Sequence, residues 1–138
     1  MKKLYTFIVA SLLSMSTFAQ APELMSYQAV VRDAADNLVA SSPVGMQISI
    51  LQGSPSGTAS YVETHTPTSN QNGLVSIEIG NGTSVSGDFS TIDWPNGPYF
   101  IKTETDPTGG TSYTITGISQ LLSVPYALYA KNTAAWQT

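Results

Sequence analysis

Apolar residues recur at every second position through most of this chain. Met25, Tyr27, Ala29 and Val31 alternate with Ser26, Gln28 and Arg32. Val44, Met46, Ile48 and Ile50 alternate with Gly45, Gln47 and Ser49, and Val75, Ile77 and Ile79 with Ser76 and Glu78. Tyr99, Ile101 and Thr103 share one parity, as do Tyr113 and Ile115. A period of two is the mark of strands with one face buried. Turn signals separate the runs: Asp36-Asn37, Gly53-Ser54-Pro55-Ser56-Gly57, Asn72-Gly73, Gly80-Asn81-Gly82, Pro95-Asn96-Gly97-Pro98 and Asp106-Pro107-Thr108-Gly109-Gly110. Gly and Asn tolerate positive φ, which makes Asn72-Gly73 a strong tight-turn pair. No strand–helix–strand rhythm appears, so a parallel α/β sheet is not expected. The pattern predicts an all-β antiparallel sandwich over residues 20–124, with Leu121, Leu122 and Val124 closing its last strand. Both Ig-like and prealbumin-like strand orders are open.

The two ends read differently. Lys2 and Lys3 precede an apolar run from Leu4 to Leu13, broken only by Thr6 and Ser11, and small residues follow up to Ala19. This is the pattern of a secretory signal, and the run is too short to span a bilayer, which takes roughly 20 apolar residues. Residues 1–19 are therefore expected to be a signal peptide cleaved after Ala19, with cleavage after Ala21 as the alternative. At the other end, Pro125 stands where a helix can begin, and Tyr126 to Ala130 have helical spacing that Ala134, Ala135 and Trp136 could continue. Residues 125–138 are expected to form a short connector helix toward another module. A frayed tail fits the same residues.

Composition narrows the partners. The 138 residues include no Cys and carry a net charge of −4. Without residues 1–19 the balance is Arg32, Lys102 and Lys131 against nine acids, a net −6. An acidic chain repels nucleic acid and anionic membrane surfaces. The missing Cys removes disulfides, thiolate zinc sites and Cys nucleophiles, so packing alone must hold the domain.

The chemistry-bearing residues form no catalytic set. His65 is the only histidine, and it reads as a surface or edge residue near a strand end. Gly53-Ser54-Pro55-Ser56-Gly57 has Pro55 where a nucleophile elbow needs Ser. Gly80-Asn81-Gly82 reads as a loop after a strand rather than a phosphate loop, since its third Gly comes late and no helix pattern follows. Calcium is the most plausible metal, through Asp88 and Asp93 or through Glu104 and Asp106, but no regular ligand spacing is present and solvated turn acids are the simpler reading. Lys102 could form an isopeptide cross-link with Asn or Asp, yet its alternation with Tyr99 and Ile101 turns it outward. Trp94, beside Pro95 and Asn96, is either a platform for a sugar ring or a plug at one end of the sandwich. No catalytic, cofactor or metal residues are assigned, and no cofactor is expected.

Several segments resemble a family. Tyr27 to Asp33 followed by Asn37-Leu38-Val39, Tyr61 to Thr64, Asn72 to Gly80, Phe89 to Trp94, Gly97 to Glu104 and above all Gln120 to Ala130 (Gln-Leu-Leu-Ser-Val-Pro-Tyr-Ala-Leu-Tyr-Ala) look like the N-terminal secreted β-sandwich module of long bacterial surface or fibre-like proteins. The likeness runs from about Leu24 to Lys131. It implies an exported module, at the cell surface, extracellular or periplasmic, that precedes fibre repeats, adhesive domains or a chaperone-type domain, and it brings no catalytic residues. The expected function is non-catalytic: capping or spacing a surface assembly, with downstream domains or neighbouring subunits as partners, in a homo-oligomer or otherwise. Tyr126, Leu128 and Tyr129 would pack between modules. The alternative is a glycan- or ligand-binding module that uses loops at one end, with Trp94 as the contact.

Overall fold

The computed structural model describes residues 24–122. The expected signal peptide, and the connector helix with Tyr126, Leu128 and Tyr129, lie outside the described residues. Seven strands follow in chain order: β1 (Met25–Val30), β2 (Gly45–Gln52), β3 (Thr58–His65), β4 (Leu74–Ile79), β5 (Thr83–Ser86), β6 (Tyr99–Asp106) and β7 (Ile115–Gln120). Two single turns of 3-10 helix, Phe89–Thr91 and Trp94–Asn96, lie between β5 and β6. The described chain is thus all-β. Its strands form two antiparallel sheets, β1-β4 and β5-β3-β2-β6-β7.

The alternation in the sequence sets the faces. In β4, Val75, Ile77 and Ile79 are buried while Ser76 and Glu78 are exposed. In β1, Met25, Tyr27 and Ala29 pack against the core and Ser26, Gln28 and Val30 face water. β2 is central in the larger sheet and is buried on both faces except at Gln47 and Gln52. Both sheets contribute to one core: Met46, Ile48 and Ile50 of β2, Tyr61 of β3, Tyr99 and Ile101 of β6, and Val75, Ile77 and Ile79 of β4.

Two expectations are corrected, and one strand is added to them. Thr83–Ser86, for which the sequence shows no strand pattern, is a strand because it lies along β3 and takes up that strand's outer hydrogen bonds. The last strand ends at Gln120 rather than running through Leu121 and Leu122, and Tyr113 precedes it. Leu121 still donates its N–H to the Tyr99 carbonyl and packs on the core. The segment between Asp106 and β7 is a closed loop rather than a simple reversal. Asp106 ends β6 and its carboxylate accepts from the Thr108 N–H (2.9 Å), the Thr108 hydroxyl (2.6 Å) and the Ser112 N–H (2.9 Å). The loop then lies against the start of β2, where a Cβ on Gly45 would collide with the Gly110 carbonyl. No larger residue fits there.

The core and surface strands should answer differently to truncation. Ile48→Ala, which removes a fully buried side chain, should lower the unfolding free energy by about 2–5 kcal/mol. Val85→Ala, on exposed β5, should change it by no more than about 0.5 kcal/mol. Urea titrations of the two variants against the parent chain read the difference.

Candidate functional site

The inward face of β3 carries Tyr61, Glu63 and His65 at successive even spacings. A carboxylate placed on a core face must find donors or lose its charge. Glu63 is 0% exposed, and it finds four donor groups. The Tyr61 hydroxyl donates to Oε2 at 2.6 Å, and His65 Nε2 lies 2.6 Å from Oε1. The Gly80 N–H is shared between both oxygens at 3.1 Å, and the Gly82 N–H reaches Oε2 at 3.1 Å. Gly80 and Gly82 lie between β4 and β5, where the chain leaves the small sheet for the large one. Gly80 holds φ at +103° under the Phe89 ring, and a Cβ there would lie 2.8 Å from that ring. Only glycine brings its N–H to the carboxylate in that conformation.

Burial raises the carboxyl pKa of Glu63, but the bonds from Tyr61, His65, Gly80 and Gly82 outweigh it and hold the value below the usual range. Burial first, and the Glu63 carboxylate next, push the Tyr61 hydroxyl upward, so its proton stays on the tyrosine. Because a carboxylate only accepts, His65 must donate from Nε2. Its Nδ1 has no partner among the described residues. Two shallow clefts meet at His65, Thr66 and Asn81. One of about 310 Å³ extends over Pro67, Ser76 and Glu78, and one of about 230 Å³ over Thr64 and Thr83. Glu63 orients the His65 imidazole, and no hydroxyl is hydrogen-bonded to His65 among the described residues. His65 is therefore not the surface residue its lone position suggests, since its side chain is only 12% exposed. Glu63 was not singled out by its sequence. The signal was its parity with Tyr61, which puts an acid on a core face.

The remaining candidates separate. Trp94 is 37% exposed and stands in a row of edge-to-face rings. Tyr61 meets Phe89 at 5.4 Å, Phe89 meets Trp94 at 5.8 Å, and Trp94 meets Tyr99 at 5.2 Å. Tyr99 then donates its hydroxyl to the Asp93 carbonyl at 2.7 Å. Asp88 accepts from the N–H and hydroxyl of Ser90, which hold its pKa down. Asp106 is buried rather than solvated, with its pKa lowered chiefly by Thr108. Glu104 instead meets Lys102 Nζ at 3.0 Å and accepts from Gln47 at 2.9 Å on the outer face. Of the acids considered for calcium, Asp88, Glu104 and Asp106 thus serve separate local contacts, and among the described residues no three His, Asp or Glu side chains are grouped for a metal.

Glu63→Gln keeps the shape but brings an amide NH2 against donors, and should cost about 3 kcal/mol at pH 7. A carboxyl depressed in the folded state adds stability above its unfolded value of about 4.3 and loses it as pH falls through the folded one. The stability gap between parent and Glu63→Gln should accordingly close below about pH 4, as read by urea titrations from pH 7 to 3. Trp94→Ala removes two ring contacts and part of a buried ring face, and should cost about 1–3 kcal/mol. Thermal denaturation followed by circular dichroism measures it.

No curated protein and no solved structure matches the chain. One family model, described as a domain of unknown function (DUF8740), matches residues 26–117. That stretch runs from the second residue of β1 through β6 to the first half of β7, well over half of the sequence, and the chain belongs to the DUF8740 family.

Proposed function

We propose that this protein is an exported, non-catalytic structural module, a β-sandwich that caps or spaces a longer surface or fibre-like assembly. The observation that carries this reading is the use made of Glu63. A buried carboxylate beside an imidazole is the kind of pair that does acid–base work in enzymes. In this chain every donor around the carboxylate fixes either β3 itself or the β4–β5 connection, and the pair serves to tie strands together. Asp106 closes a loop in the same manner. Export is supported by the character of residues 1–19, and assembly by the likeness of Gln120 to Ala130 to the closing segment of secreted modules. Among the described residues no helix is long and apolar enough to cross a membrane.

A second reading, a glycan-binding module, is favoured by the partial exposure of Trp94 at one end of the strands. Its ring packs edge-to-face with both Phe89 and Tyr99, which favours the plug over the platform.

N-terminal sequencing of the chain from the cells that produce it, combined with protease treatment of intact cells, tests the first reading. A chain that begins at Gln20 and is digested from outside supports it. An intact Met1 in a protected fraction overturns it. Retention of a sugar on a glycan array that is lost in Trp94→Ala with folding kept would favour the second reading.

A further inference from the structure

The two rims of the larger sheet are built differently. β5 is a four-residue strand whose pairing with β3 shifts register between Val62 and Glu63. Short, irregular edges resist pairing with another chain. β7 is six residues long and runs against β6 without a shift, from Ile115 opposite Thr105 to Gln120 opposite Phe100. Every residue of β7 is exposed, with Ile115 at 40% and Ile118 at 46%. It holds no Pro and no charge, and no charged residue occurs from Pro107 to Leu122. Among the described residues none of the usual guards of an edge strand is present. In an acidic chain this neutral stretch is also where two copies can approach without repulsion.

The strand's own chemistry fixes the partner. Leu121 bonds through its N–H to Tyr99, so the odd residues of β7 turn their backbone groups toward β6. By alternation, Thr116, Ile118 and Gln120 turn theirs to the free edge. About Ile118 the residue types are symmetric though the residues differ: the small Gly117 and Ser119 flank it, then the polar Thr116 and Gln120, then the aliphatic Ile115 and Leu121. An antiparallel copy centred there sets Ile118 against Ile118 on the outer face. It sets Ile115 against Leu121 twice on the inner face, and Thr116 against Gln120 twice. Each apolar side chain meets an apolar one, and each free backbone group meets a partner.

We propose that β7 pairs with β7 of a second copy, antiparallel and centred on Ile118, joining two five-stranded sheets into one across a two-fold axis. This names the neighbouring subunit in the structural-module reading and rests on that reading for its role, though not for its geometry.

Sedimentation equilibrium and directed cross-linking of the full chain test it. The parent should sediment at twice the chain mass. Ile118→Pro removes an N–H from the free edge and leaves the β6 ladder intact; Thr116→Lys adds a charge to the same edge. Both should sediment as monomers with the parent's circular dichroism. Val85→Lys, on the β5 rim, should remain dimeric. Because the chain has no Cys, a single Cys reports register. Ile118→Cys should cross-link on mild oxidation, since hydrogen-bonded antiparallel partners lie about 5.5 Å apart between Cα atoms. Thr116→Cys should not, since its copies would stand about 13 Å apart along the strands. A monomeric parent, a dimer that survives both edge variants, or cross-linking by Thr116→Cys in preference to Ile118→Cys overturns the proposal. A chain that is exported yet monomeric defeats the pairing and leaves the module reading standing. A dimer retained inside the cell does the reverse.

Discussion

A carboxylate taken out of water must be met by donors, and Glu63 draws its donors from the segment that carries the chain between the two sheets. This is the constraint around which the fold is arranged. A two-stranded sheet has little hydrogen bonding of its own and is not stable alone. β1 and β4 are held by their apolar faces, and β4 is further fixed at its C-terminal end, where the Gly80 and Gly82 N–H groups meet Glu63. The apolar contact is non-directional and would tolerate sliding. The carboxylate is directional, and it specifies where β4 ends relative to β3. In a chain without Cys, that is the nearest equivalent of a staple between sheets.

Tyr61 couples this polar tie to the rest of the core. Its hydroxyl donates to Glu63 while its ring meets Phe89 edge-on, and the row of rings continues through Trp94 to Tyr99 on β6. One side chain thereby joins the β4–β5 connection, the two 3-10 turns and the far side of β2. The same Phe89 ring lies over Gly80, where a Cβ would press against it. Glycine at that position is required twice, for the positive φ and for the ring above it. Loosening Tyr61 would disturb both networks, because the hydrogen bond and the ring contact share one rigid group. Effects of changes at Tyr61 and Glu63 should not be additive for the same reason.

Most of the strands were legible in the sequence because each alternates cleanly. β1, β2, β4 and β6 fall where the period of two places them. β5 was not legible: Thr83-Ser84-Val85-Ser86 is exposed throughout, so it carries no burial pattern, and only its neighbour β3 makes it a strand. β7 was legible in part: Tyr113 and Ile115, with Leu121 and Leu122, mark a last strand, but Ile115 and Ile118 have opposite parity and every residue of β7 is exposed, so its bounds do not show. The buried polar cluster was half legible. The alternation Tyr61, Glu63, His65 puts an acid and a histidine on a core face, but no local rule says which backbone groups will come to meet them. Those donors arrive from residues about twenty positions away, by topology alone. Asp106 shows the same limit, since the pattern marks a turn there without revealing that its side chain would be enclosed by the loop it begins.

The two rims show how a sheet protein apportions its edges. β5 is short and irregular, and its approach from β4 is drawn in by Glu63, so the device that ties the sheets also blunts one edge. Among the described residues the opposite edge has no such device. From Pro107 onward the chain has no charge until Lys131, and an edge strand without charge or proline is costly to keep in water as a monomer because it invites uncontrolled pairing. A sequence that guards one rim and leaves the other regular, neutral and symmetric about one isoleucine has restricted its pairing to a single register. That restriction is what separates an assembly contact from an aggregation-prone edge, since a strand whose apolar positions match only in one alignment gains little from any other.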